Sequence, residues 1–209
     1  MVDDPTFPYR VAFGLTVFGV LGVIDAVRNP QNPERLKEYA FLFAVTVAAM
    51  LYGLVHDATT FSLSPEYFSA VKGLRAPSFF PDVAQLALRA SWTVGLAIGL
   101  TFLIANNPCK QRPQLPYSRL ARHLGWPIVA APTFAAFLAV ASMVAPQWSS
   151  RALGVTALEV QDFGTVAMVW AVHLGTYSGA AVGLVAAVAR IRNERGQLAA
   201  TQACSSTTR

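Results

Sequence analysis

The sequence predicts an all-α integral membrane protein, a bundle of five transmembrane helices with one short helix on the outer surface. The first reason is composition: 54% of the 209 residues are hydrophobic and only 13% are charged, against about 25% charged in soluble domains. The second reason is that five separate apolar segments approach the roughly 20 residues that a helix needs to cross a bilayer. The mean hydropathy of +0.44 agrees with a chain surrounded by lipid.

The five predicted spans differ in strength. The first is short and carries Asp25 near its end; if it does not span, four helices remain. The second ends at the pair His56-Asp57. The fifth is the longest, and at about 1.5 Å per residue it exceeds a hydrocarbon core of roughly 30 Å, so it must tilt or project. The predicted spans are residues 11–27, 39–55, 83–105, 126–145 and 163–189.

Lysine and arginine are distributed unequally between the two sides of this arrangement. Of the 16 in the chain, four lie on one side, eleven lie on the other, and Arg89 lies within a span. By the positive-inside rule, the eleven face the cytoplasm. We therefore expect a bacterial inner-membrane protein with a cytoplasmic C-terminus and with residues 56–82 on the outer face.

The chain is predicted to form one domain. Residues 1–195 make the transmembrane bundle, and the small, polar residues 196–209 are predicted to be a disordered cytoplasmic tail. The net charge of +5 is explained by contact with anionic lipid. No basic patch interleaved with aromatic residues is present, so nucleic acid is not an expected partner.

A short outer helix is predicted over residues 65–72. Ser64 is a good N-cap, Pro65 occupies the first helical position, and Glu66 complements the helix dipole. Gly73 supplies the C-terminal stop. On this helix, we expect Tyr67 and its neighbour Phe68 to anchor the outer interface.

Ionisable residues in the outer half of the predicted bundle are the candidate site. An ionisable side chain inside a membrane indicates a functional site by default, and His173 lies well within the fifth span. It reaches the level of His56 if that long helix projects outward. Imidazole with carboxylate suits zinc, iron, copper or nickel. The predicted ligands for a metal or small polar molecule are His56, Asp57, Glu66 and His173.

Four further residues are predicted to support this site. Arg89 lies about 10 Å below the outer end of the third span, where it needs an acidic partner such as Asp57 or Glu66. Trp170 and Tyr177 share the helical face of His173. Tyr67, on the short outer helix, is the fourth supporting residue.

Glycines at four-residue spacing mark close helix packing. These glycines lie on different helix faces from the polar residues, and their spacing predicts a compact bundle or an oligomer. The glycines are Gly95 and Gly99 in the third span and Gly175, Gly179 and Gly183 in the fifth.

Two strings resemble a family of small bacterial polytopic membrane proteins of uncharacterised function. One is Tyr52-Gly53-x-x-His56-Asp57-x-x-Thr60 followed by Ser64-Pro65-Glu66-Tyr67-Phe68. The other is His173-x-x-x-Tyr177, although Ala180 stands where the usual version has a second glycine after Gly179. The resemblance implies no activity, but it is a reason to consider the two strings together as one unit.

Four functions are compatible with these observations. The sequence favours a polytopic protein whose outer-half site binds a metal ion or small polar ligand, with a role related to transport. The alternatives are a haem b anchor with His56 and His173 as axial ligands, a structural assembly subunit, and a membrane-embedded enzyme. No catalytic motif supports the enzyme. The expected partners are the lipid bilayer and either further copies of the chain or subunits of a membrane complex.

Overall fold

A computed structural model describes residues 6–109, 112–145, 147–149 and 160–207, with side chains as far as Gln202. This part of the chain is helical and has no β-strand. Five helical stretches are long and apolar enough to cross a membrane, including the first. The predicted fold class, a multi-pass helical membrane protein with a short extra helix, is therefore confirmed.

The described helices are, in chain order, α1 (Phe7–Arg28), α2 (Glu34–Leu63), α3 (Pro65–Ala70), α4 (Ala84–Ala105), α5 (Tyr117–Arg122), α6 (Gly125–Val144) and α7 (Phe163–Thr207). An irregular turn, Phe79–Val83, in which Phe80 has an extended backbone conformation, leads into α4. The long helices α2, α4, α6 and α7 form the bundle, and α1 packs mainly against α2.

Helix α2 does not end at His56 and Asp57 as predicted, but continues for nearly two further turns to Leu63. The polar side chains that follow can remain within the helix because their hydroxyls find acceptors in the preceding turn. Thr59 donates to the carbonyl of Val55 at 2.8 Å, and Thr60 donates to the carbonyl of His56 at 3.0 Å. The helix stops only before Pro65, which disfavours helical geometry in the residue it follows.

Helix α3 confirms its predicted start but not its predicted role. The Ser64 hydroxyl accepts a hydrogen bond from the Tyr67 N–H at 3.2 Å, and Gly73 reverses the chain at φ 73°. However, Tyr67 and Phe68 are 1% and 0% exposed, so they do not anchor an interface with lipid. Helix α3 folds across one end of the bundle and packs both rings inward.

The four bundle helices are arranged as two closely packed pairs, α2 with α4 and α6 with α7. Glycine makes each close approach possible. A Cβ at Gly95 would lie 2.7 Å from the Cα of Thr46, and one at Gly175 would lie 2.5 Å from the carbonyl oxygen of Phe134. Gly99, Gly179 and Gly183 make equally tight contacts. Because all five glycines pack within the chain, they are not the contact surface for a second copy.

The tail predicted to be disordered is helical, since α7 continues to Thr207. Buried Arg195 holds the start of this extension against the loop after α4. Its guanidinium donates to the carbonyls of Ala105 and Asn107, both at 2.6 Å, and to those of Pro113 at 2.9 Å and Arg112 at 3.0 Å. Residues 208 and 209 lie outside the described part.

We expect Arg195→Met to destabilise the protein by more than about 3 kcal/mol, because each hydrogen bond to a charged group contributes about 1.5–3 kcal/mol. Thermal unfolding in detergent measures the effect. Exposed Arg192 provides the control, since Arg192→Met should leave the midpoint almost unchanged. Equal midpoints for the two variants would contradict the anchoring role.

Gly183→Ala is expected to destabilise the α6–α7 pair by about 1–3 kcal/mol, the usual cost of overpacking. The added Cβ would lie 2.6 Å from the Cα of Pro127, which is backbone and cannot rotate away. Gly14→Ala is the matched control, because nothing lies within 4 Å of that position. Thermal unfolding of the two variants should move in opposite directions, since alanine is the better helix former.

Candidate metal centre

Three ionisable side chains from two helices meet at the end of the bundle that α3 covers. His56 and Asp57 come from α2, and His173 comes from α7. Their ligand atoms all lie within 4.8 Å of one another, and the two histidine rings are 4.7 Å apart between centres. The prediction that His173 reaches the level of His56 is confirmed.

The hydrogen bond of the His173 ring determines which nitrogen carries its proton. Nδ1 lies 2.9 Å from the carbonyl oxygen of Val169, one turn earlier in α7. A carbonyl only accepts hydrogen bonds, so Nδ1 must be the donor. In the neutral ring, Nε2 is then a bare lone pair.

That lone pair faces another acceptor. His173 Nε2 lies 3.3 Å from Oδ1 of Asp57, and an ionised carboxylate can only accept. Both side chains are buried, at 5% and 9% exposure. Two acceptors held at this distance repel unless a positive species lies with them, either a proton or a metal ion.

His56 offers a second unpaired nitrogen. Its Nε2 is buried and has no hydrogen-bond partner among the described residues. The His56 ring is half-buried and makes an edge-to-face contact with the His173 ring, at an interplanar angle of 75°. An orphaned buried nitrogen carries a desolvation cost of about 1–3 kcal/mol. Bonding to a shared ion would remove that cost for both imidazoles.

Two imidazole nitrogens and one carboxylate oxygen form a donor set that suits zinc and iron. Ligand atoms held about 2.1 Å from one tetrahedral ion lie about 3.4 Å apart. Atoms at the 4.8 Å limit would therefore have to approach each other by about 1.4 Å when the ion binds. Three protein ligands also leave a coordination position for a small molecule.

Aromatic rings of α3 form the roof over the three side chains. The ring of Tyr67 lies 4.7 Å from that of His173, and the ring of Phe68 lies 6.1 Å from it. Lys72 places its Nζ 5.6 Å from the centre of the Tyr67 ring. Burial raises the pKa of Tyr67 and lowers the pKa of Lys72, although the charge of Asp57 opposes the change at Lys72. The roof is therefore a water-poor environment.

Glu66, the fourth predicted ligand, is directed elsewhere. One carboxylate oxygen accepts from the N–H of Gln161 at 2.5 Å, and the other accepts from the N–H of Asp162 at 3.1 Å. These groups lie immediately before α7, where a negative charge also complements the helix dipole. Glu66 thus attaches α3 to the start of α7, and it does not join His56, Asp57 and His173.

The other predicted residues differ in how close they lie to these three side chains. The guanidinium of Arg89 lies 5.4 Å from the ring centre of Phe7 in α1. Trp170 stacks obliquely on Trp148 at 5.9 Å. Tyr177 is 48% exposed and lines a cavity beside His56 and Asp57. Tyr52 belongs to the same cavity and was missed, although its spacing of four residues from His56 places it on the same helical face.

The packing of the histidine rings bears on haem b. A haem with two axial histidines has its macrocycle between the two rings. Here the rings of His56 and His173 contact each other directly, with centres 4.7 Å apart. This arrangement leaves no room for a macrocycle and favours a single small ion.

No family model, curated protein or solved structure matches this chain.

We expect Glu66→Gln to weaken the attachment of α3 and lower stability by about 1–2 kcal/mol, because an amide must replace one of two oxygens that face backbone N–H groups. Its metal content should equal that of the unmodified chain, since Glu66 lies outside the donor set. Elemental analysis and thermal unfolding measure the two effects. The control is Glu34→Gln, at an exposed carboxylate that accepts only from the Asn32 side chain at 3.0 Å among the bonds described. Loss of metal from Glu66→Gln would instead make Glu66 a ligand.

Proposed function

We propose that this chain is a membrane protein that binds one divalent transition-metal ion through His56, Asp57 and His173. The ion is held by the two Nε2 atoms and a carboxylate oxygen of Asp57. It lies in the outer half of a bacterial inner membrane, on the side opposite the basic loops. The resemblance of the Tyr52–Phe68 and His173–Tyr177 strings to bacterial membrane proteins agrees with this location and adds no activity.

One observation carries the proposal. The hydrogen bond from Nδ1 of His173 to Val169 leaves Nε2 as a bare acceptor, 3.3 Å from a buried carboxylate. A positive species between them converts this repulsion into attraction. His56 has a further buried, unpaired nitrogen and places a ring nitrogen within 4.8 Å of the ligand atoms of Asp57 and His173. A metal ion would use this nitrogen and a single shared proton would not.

A purely structural role is the competing explanation. In that case a proton shared by His173 and Asp57 satisfies the pair, and His56 only packs on Tyr52, whose ring centre is 6.0 Å away. The two explanations differ in what the purified protein contains. They also differ in the part played by His56, which is a ligand in one and a packing residue in the other.

We expect the unmodified chain, purified in detergent and supplied with Zn²⁺, to retain one ion per chain after removal of excess metal. His56→Ala and His173→Ala should each weaken zinc binding by at least about tenfold, the scale of loss found when metal-site partners are removed. Inductively coupled plasma mass spectrometry measures the zinc, and a competing chelator gives the affinity.

His123→Ala is the matched control. This histidine is also buried and lies 3.3 Å from a carboxylate, that of Glu194, but it is at the opposite end of the bundle. Its substitution should leave zinc at one ion per chain. If the unmodified chain retains no stoichiometric zinc, iron, copper or nickel, the metal proposal fails and a shared proton accounts for the pair.

A further inference from the structure

A cavity of about 330 Å³ lies between the two helix pairs. Its walls come from α2 and α4 on one side and from α6 and α7 on the other. The pairs pack closely within themselves but meet each other only slightly, so the gap between them is built into the bundle. All four helices can span a membrane, which places the cavity at membrane depth. Its volume lies within the range of small-molecule sites, about 300–1,000 Å³.

The polar groups of this cavity are gathered toward one end. Along α2 the polar lining residues run from Tyr52 to Asp57, toward the end of the bundle that α3 covers. The α2 residues that line the cavity farther from α3, beginning at Val45, are apolar. From Val45 to His56 the wall extends about 16 Å at 1.5 Å per residue. The polar lining residues are Tyr52, His56, Asp57, Ser91, Thr176 and Tyr177.

From this polarity we infer that the cavity binds a lipid-soluble molecule with one hydrocarbon tail and a neutral hydroxyl or carbonyl head. The tail occupies the apolar length beside Val45, Val94 and Ile98. The head lies at the polar end, where hydroxyl, imidazole and carboxylate groups supply both donors and acceptors.

Other occupants fit this lining less well. When no metal is bound, Asp57 is the one charged side chain among the lining residues, so an anionic head would be repelled and would find no lysine or arginine there. A phospholipid head carries charge that is costly to move from the interface to this depth. Water does not fill the apolar end, because apolar cavities of this kind stay dry.

The head would lie beside two of the three proposed metal ligands. His56 and Asp57 belong both to the cavity wall and to the metal centre, and a three-ligand ion keeps a position for a small oxygen ligand. In this respect the inference rests on the proposed function and gives the class of molecule that reaches that ion. The occupancy of the cavity itself depends only on its shape and lining.

The test uses the full chain in phosphatidylcholine nanodiscs with a long-chain alcohol that carries a photoactivatable diazirine in its tail. After illumination, mass spectrometry maps the labelled residues. We expect adducts on Val45, Val94 and Ile98, and their loss when excess dodecanol or decylubiquinone competes. These two competitors separate a hydroxyl head from a carbonyl head. In a sample freed of metal with a chelator, dodecanoate, with an anionic head, should not compete.

Ala90→Phe should fill the cavity and lower the labelling about tenfold, the factor that a 1.4 kcal/mol loss of affinity gives. Its control is Ala97→Phe on the same helix, at an exposed position that does not line the cavity. The adduct map of the unmodified chain tests the inference even if neither variant folds.

Adducts confined to lipid-exposed residues such as Leu100 and Val140, or competition by dodecanoate alone in the metal-free sample, would overturn the inference. A parallel sample that is supplied with Zn²⁺ and then freed of excess metal separates the two proposals. Cavity labelling in that sample without bound zinc supports the cavity and overturns the metal centre, whereas bound zinc without cavity labelling supports the metal centre and overturns the cavity.

Discussion

The closeness of the glycine-lined helix contacts is the constraint on which the rest of this bundle depends. At Gly95 and Gly183 the facing backbone lies so near that even one added carbon would overlap it. Such contacts fix the rotation and level of each helix against its partner, because any shift brings side chains where only hydrogen fits. The result is two rigid pairs, α2–α4 and α6–α7. The residues at their mutual boundary are left to meet loosely.

The polar chemistry of the molecule lies at that loose boundary. Asp57 on one pair and His173 on the other approach to 3.3 Å, and the cavity continues from them between the same helices. Tightly packed apolar side chains would have closed the gap, and a fully hydrogen-bonded polar set would need no ion. The boundary has neither property, since two buried imidazole nitrogens there find no hydrogen-bond partner among the described residues. A bound ion would therefore also link the two pairs.

The two ends of the bundle are held by side chains that bond to backbone groups. At one end Glu66 accepts from the N–H groups before α7 and so keeps the rings of α3 over the histidines. At the other end Arg195 donates to four carbonyls and joins α7 to the loop after α4. Both side chains satisfy backbone groups near a helix terminus, where intrahelical partners are lacking. Each is a charged residue whose role could be mistaken for chemistry when the sequence alone is read.

Hydropathy, spacing and capping act between residues close together in the chain. They were therefore enough to predict the membrane class, the five long apolar helices, the glycine faces, the Ser64 cap and the position of His173 inside a span. The burial of Tyr67, the contact of Glu66 with the start of α7 and the convergence of His56, Asp57 and His173 became visible only in the folded bundle. The prediction ended α2 too early, because the hydroxyls of Thr59 and Thr60 find acceptors inside the helix and so do not require it to stop. Which side chains meet depends on how helices distant in sequence rotate and slide against one another, and only packing fixes that.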